Sequence, residues 1–163
     1  MIKKALISPS GRYRWSLERI WDESGPIINF VGLNPSTADD KNDDQTIKLC
    51  IRFAKGWGYG GLIMTNLFAW RSRNPRAMEQ AEYPVGEFND EHILGAAHRS
   101  AGVVACWGAR GNFQGRDKKV LALLVKRKNV MCLGLTKYGQ PRHLIGLRKD
   151  TELCVFEKCR GDV

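Results

Sequence analysis

The densest set of side chains able to do chemistry follows directly on an apolar run. Ile27-Ile28-Asn29-Phe30-Val31 gives way to Gly32-Leu33-Asn34-Pro35-Ser36-Thr37-Ala38-Asp39-Asp40, and then to Asp43 and Asp44. An Asn amide does not titrate, but it both donates and accepts hydrogen bonds. A carboxylate here can serve as a general base. Gly32 admits a ligand close to the backbone, and Pro35 stiffens the turn. The same residue types have plainer uses: Asn, Ser, Thr and Asp build turns, and Asp43 or Asp44 suits a helix N-terminus. Three more positions repeat the arrangement of a polar or aromatic residue after an apolar run. They are Asn66 after 62–65, Trp107 after 102–106, and His143 in the loop after 129–133.

The surrounding pattern says which elements would position them. Residues 4–7 and 13–21 flank Ser8-Pro9-Ser10-Gly11 and read as a β-hairpin. Strict alternation puts Tyr13, Trp15, Leu17 and Arg19 on one of its faces. Strands are expected at 27–31, 62–65, 102–107 and 129–133, with an edge strand within 151–156. Helices are expected from about 44 to 57, opened by Asn74-Pro75, and over 87–100 and 114–128. In the first of these Ile47, Cys50, Ile51 and Ala54 form the buried stripe. His92 and His98 read as surface or cap residues. Gly108, Gly111 and Gly115 lack the spacing of a phosphate-binding G-x-G-x-x-G loop. Alternating strands and helices predict an α/β fold: three layers, α/β/α, around a four-stranded parallel core sheet. The hairpin (1–24) would be an extension of a single domain, 1–163. Ligands bind such sheets beyond the carboxyl ends of the strands. Asn34, Asn66, Trp107 and His143 are therefore expected on one edge.

The chain has 163 residues, 43% of them hydrophobic, and a formal net charge of +9. No apolar run approaches the ~18 residues of a membrane span, and no signal-like segment opens the chain, so a cytoplasmic protein is expected. The five cysteines are odd in number and include no C-x-x-C pair. Neither a disulfide framework nor a zinc site is expected, and no metal or cofactor is called for. Cys50, Cys106 and Cys132 read as small core residues. Basic residues cluster in 71–76, 116–119, 126–128 and 142–149, which favours a polyanionic partner, DNA or another nucleic acid first.

Val31-Gly32-Leu33-Asn34-Pro35-Ser36-Thr37-Ala38-Asp39, Asn66-Leu67-Phe68-Ala69, Trp107-Gly108 and Thr136-Lys137-x-Gly139-x-Pro141-x-His143 resemble a bacterial and phage family known as a domain of unknown function. A more distant resemblance is to the uracil-DNA glycosylase superfamily. Gly32-Leu33-Asn34-Pro35-Ser36 is similar to the Gly-Ile-Asn-Pro-Gly of its mismatch-specific branch, and Thr65-Asn66 to its Thr-Asn. The resemblance implies that Asn34 orients an attacking water, Asn66 reads the base edge and His143 supports the departing base. Gly32, Leu33, Pro35, Ser36, Phe68 and Trp107 would surround that base. Ser36 stands where many members have Gly, Leu144-Ile145 where members have Pro-Ser, and the Cys ligands of the iron–sulfur branches are absent.

On this reading the chain is a DNA glycosylase-like enzyme acting on an unusual, mismatched or modified base. Breaking an N-glycosidic bond leaves an anionic base, and losing one preorganised donor to such a charge costs about 2.7–4 kcal/mol of barrier. Extruding a base costs a few kcal/mol, and an aromatic face recovers part of it. Phe68 is the first candidate for that face, then Trp107 or Trp70. Leu144 is the candidate wedge, and Arg71, Arg73, Arg76, Arg142 and Arg148 are the expected phosphate contacts. Two other readings are a non-catalytic module binding nucleic acid or a modified base, and an enzyme on free nucleotides with a metal near Asp39 and Asp43.

Overall fold

The computed structural model describes residues 1–126 and 128–161. Among them are seven strands in one mixed sheet: β1 (Ile2–Ile7), β2 (Arg14–Ile20), β3 (Ile27–Gly32), β4 (Gly61–Asn66), β5 (Gly102–Ala105), β6 (Val130–Cys132) and β7 (Cys154–Val155). Their order across the sheet is β1-β2-β4-β3-β5-β6-β7. Strand β3 pairs parallel with β4 and β5, and β5 pairs parallel with β6. Antiparallel pairs close both edges. The N-terminal hairpin extends the sheet, because β2 continues it from Leu17–Met64 to Ile20–Gly61. Among the described residues, no helix is long and apolar enough to cross a membrane.

The two faces of the sheet bury separate cores. On one, Leu17, Ile28, Phe30, Leu62, Met64 and Val104 meet Ile47, Cys50, Phe53 and Ala54 of α1 (Gln45–Gly56). Phe53 takes the buried place expected of Ile51, which is only half-buried. Fully burying Ile47 or Phe53 stabilises by about 1.5–3 kcal/mol. On the other face, Val31, Val103, Ala105 and Val130 meet α3 (Asn89–Arg99) and α4 (Arg116–Leu124) through Ile93, Ala97, Val120 and Leu124. The short helices α2 (Pro75–Gln80) and α5 (Phe156–Gly161) add Met78 and Phe156 to that core. The helix expected over 114–128 begins later, at Arg116. A 3-10 segment, Ala109–Gly115, precedes α4, and Gln114 within it has φ 53°.

One irregularity re-aims a strand. Leu6 pairs with Ser16 but Ile7 pairs with Arg14, so Trp15 is the extra residue of a β-bulge. Beyond the bulge the faces exchange. Arg14 points to the α1 side with Leu17 and Arg19, while Trp15 stacks on His92 of α3 with ring centroids 5.3 Å apart. This corrects the strict alternation that grouped Trp15 with Leu17 and Arg19.

Candidate functional site

The carboxyl ends of β3 and β4 meet in register, with Gly32 opposite Asn66. Asn66 is buried, and its side chain lies over the glycine. A Cβ at Gly32 would stand 2.8 Å from Asn66 Nδ2 and 2.7 Å from Met64 Cε. The backbone beneath is clamped from the α3 side. Asn89 Nδ2 donates to the carbonyls of Asn66 and Leu67 at 3.0 and 3.1 Å, and Arg116 donates twice to Leu67 O. Above this corner opens a cleft of about 420 Å³. Asn34, Asn66, Trp107 and His143 all line it, as do Gly32, Leu33, Ser36, Arg14, Asp44, Arg73 and Ile145.

Asn34 is partly occupied with holding the cleft together. Its Nδ2 donates to the carbonyls of Pro35, Trp70 and Ser72 at 3.2, 3.4 and 3.0 Å, joining the loop after β3 to the loop after β4. Among the described residues nothing donates to its Oδ1. The four nearby acids separate cleanly. Asp39 accepts from the backbone N–H groups of Lys41 and Asn42, and Asp43 pairs with Arg19 and Lys3. Asp40 is exposed. Asp44 lines the cleft while capping α1, accepting from Ile47 N at 2.9 Å.

His143 is held by its own turn: Ile145 N donates to Nδ1 at 3.1 Å. Burial pushes its pKa below the usual imidazole value, against the opposing charge of Asp44. The neutral ring therefore carries its proton on Nε2, a donor. Trp107 fixes the loop that carries His143. Its indole N–H donates to Gln140 Oε1 at 2.8 Å, and Gln140 Nε2 donates to Asp117 Oδ2 at 2.8 Å. Gly108 N also donates to Pro141 O.

The residue that the sequence reading missed is Arg14, only 2% exposed. Its Nη1 donates to Ala38 O at 2.9 Å, and its Nη2 reaches Asn66 Oδ1 at 3.5 Å. Its Nε has no acceptor among the described residues. Burial lowers its pKa to about 10, with Asp44 opposing and Arg71 adding to the shift. It still carries its charge at neutral pH.

A family model described as "Protein of unknown function (DUF1643)" matches residues 14–143. The chain belongs to that family. No curated protein and no solved structure matches the chain. The DUF1643 span begins on Arg14 and ends on His143, so it contains the cleft residues named above apart from Ile145.

Other expected site residues lie elsewhere. Phe68 is fully buried, packed against Phe113, and so offers no stacking face. Leu144 is fully buried in the α1-side core and is no wedge; its neighbour Ile145, 51% exposed, is one of the apolar side chains at the cleft. Pro35 is buried and accepts from Ser72 N. Of the five arginines assigned to phosphates, Arg73 lines the cleft. Arg71 donates to Gly11 O, Arg148 pairs with Asp150, and Arg76 and Arg142 are exposed. Arg127, within one of the basic clusters, lies outside the described residues. The spacing of the cysteines suggested no disulfide framework; one local disulfide is present, joining Cys154 and Cys159. Cys132 brings its Sγ to 3.5 Å from that of Cys154. These three sulfurs lie within 4.8 Å of one another, a separation suited to a metal ion, but the disulfide takes two of them.

Proposed function

We propose that the cleft accepts a base unstacked from DNA and that the protein hydrolyses its N-glycosidic bond. One observation carries the reading: Asn66 at the end of β4, and Asn34, Trp107 and His143 from the loops after β3, β5 and β6, line one cleft whose size suits a small molecule. The parallel run β4-β3-β5-β6 with these residues at its carboxyl end supports a uracil-DNA glycosylase-like arrangement. In the reaction a water attacks the sugar carbon, the bond to the base nitrogen breaks, and the base departs with the electron pair. Asn34 Oδ1 and Asp44 are the acceptors available to hold or deprotonate that water. His143 Nε2–H is a donor for the charge developing on the base. The net charge of +9 and Arg73 at the cleft support DNA as the partner.

A second reading is a binding module of the same fold, and the bonding of Asn34 favours it. An amide spent on three backbone carbonyls is what a purely structural loop Asn would show. The experiment is release of free base from duplexes carrying uracil, hypoxanthine or modified pyrimidines, with His143→Ala and Asn34→Ala alongside wild type. Release abolished by His143→Ala, with DNA affinity retained, supports hydrolysis. Folded, DNA-bound protein that releases no base from any duplex leaves the binding module.

A further inference from the structure

The groups at the inner end of the cleft share a polarity. A guanidinium has five N–H donors, and two bonds from Arg14 to protein acceptors are present, one at the limit of hydrogen-bond length. Among the described residues no carboxylate hydrogen-bonds Arg14, although it is buried; Asp44 acts on it through its charge alone, and its Nε has no acceptor. A buried charge left in this condition is costly unless something pairs with it. Arg14 also fixes its neighbour. Asn66 turns Oδ1 toward the guanidinium, since the opposite amide orientation would set donor against donor. Its Nδ2–H groups are thus left for the cleft, with no acceptor among the described residues. His143, with Nδ1 already accepting from Ile145, adds a third donor. Arg73 lines the cleft, and Asp44, the one carboxylate there among the described residues, has an oxygen committed to Ile47 N.

We infer that Arg14 and Asn66 form an oxyanion subsite at the inner end of the cleft, which selects a ligand presenting a negatively charged, acceptor-only oxygen group. This rests on the cleft being the ligand pocket but not on base release. Two sources carry that chemistry: a phosphate monoester on a nucleotide, and an anionic oxygen on the base itself. The first makes the preferred ligand a mononucleotide or a strand end, because an internal phosphodiester does not reach a buried guanidinium. The second makes Arg14 a group that stabilises the departing base.

The test is calorimetric titration of the full chain with paired probes: deoxyuridine against its 5′-monophosphate, uracil against its 6-carboxylate, and inorganic phosphate alone. At least one anion is expected to bind more than 10-fold tighter than its neutral partner, and the pair that separates identifies the source. Arg14→Gln is expected to weaken that anion roughly 10- to 100-fold, the range for losing a hydrogen bond to a charged group, while the neutral probe is unchanged. Asn66→Asp places a carboxylate within bonding reach of Arg14, so it should abolish anion binding while raising the melting temperature. It keeps the inference testable should Arg14→Gln fail to fold. The inference is overturned if neither anion outbinds its neutral partner, if Arg14→Gln binds like wild type, or if Asn66→Asp keeps the anion. Anion binding without base release would retain the subsite and remove the glycosylase reading.

Discussion

Arg14 and Arg19 lie on one face of one strand, both nearly inaccessible, yet their surroundings are opposite. Arg19 Nε donates to Asp43 Oδ1 at 2.7 Å, and its other nitrogens donate to the carbonyls of Lys4, Glu18, Asp39 and Asn42. It is a finished joint between the hairpin and the loop before α1. Arg14 has one good bond, to Ala38 O, and a marginal one to Asn66. A fold that bonds a carboxylate directly to the arginine at one end of β2, and gives the other only the charge of Asp44 at a distance, has left the second arginine donors for something that is not protein.

Breaking the Arg19 joint should have the largest effect. Arg19→Met leaves Asp43 with Lys3 alone and strands several carbonyls at a buried position, which together cost about 3–5 kcal/mol. For a chain of this size that lowers the melting temperature by roughly 6–20 °C, readable by thermal unfolding. Next is Gly32→Ala. Its methyl would meet Met64 Cε and Asn66 Nδ2 inside 3 Å, an overpacking cost of about 1–3 kcal/mol. Unlike Arg19→Met, it should also displace Asn66, so ligand binding should fall by more than the melting shift implies.

Acid should act on the two ends in separate steps. Burial holds the folded-state pKa of His143 below 6.5. The unfolded chain therefore takes up the proton first, and stability present above 6.5 is lost as pH falls below it. His92, also lowered by burial, adds to this step. For Asp43, burial raises the pKa, but the bonds from Arg19 and Lys3 and their charges outweigh it, so the net shift is below 3.8. Its contribution is present above 3.8 and lost as pH falls through the lower folded value. Melting temperature against pH should show both steps, and His143→Gln should shrink the first alone. The smallest stability effect is expected for Arg14→Met: within about 1 kcal/mol of wild type, or stabilising, because an incompletely bonded buried charge is removed. A loss as large as that of Arg19→Met would erase the contrast between the two arginines.

Much of this was legible in the sequence wherever an apolar run stopped abruptly at a polar residue. Such runs located β3, β4, β5 and β6, and the residues after them meet in the cleft. The Asp44 cap was readable because its hydrogen bond is local, three residues from donor to acceptor. Arg14 was not legible. A single extra residue at Trp15 inverts the strand's faces, and nothing in the types around it announces a bulge. The double duty of Asn34 depends on carbonyls of Trp70 and Ser72, distant in the chain. Phe68 and Leu144 were assigned to the ligand on chemical type, whereas both fill core positions. The joining of Cys154 to Cys159 also escaped the spacing argument, since it needs a strand running into a helix at the sheet edge.

The pairing of β2 with β4 has a consequence in time. The ribosome makes β2 about 40 residues before the strand it docks on. At the usual ~5–20 residues per second, the hairpin waits roughly 2–8 s for that partner to be synthesised. During that wait Arg14 has neither Ala38 nor Asn66 in place. Its burial can be completed only after the central strands exist, although it is among the first side chains made. A chain released early, with an intact hairpin but no β4, would present an exposed edge strand and an idle guanidinium.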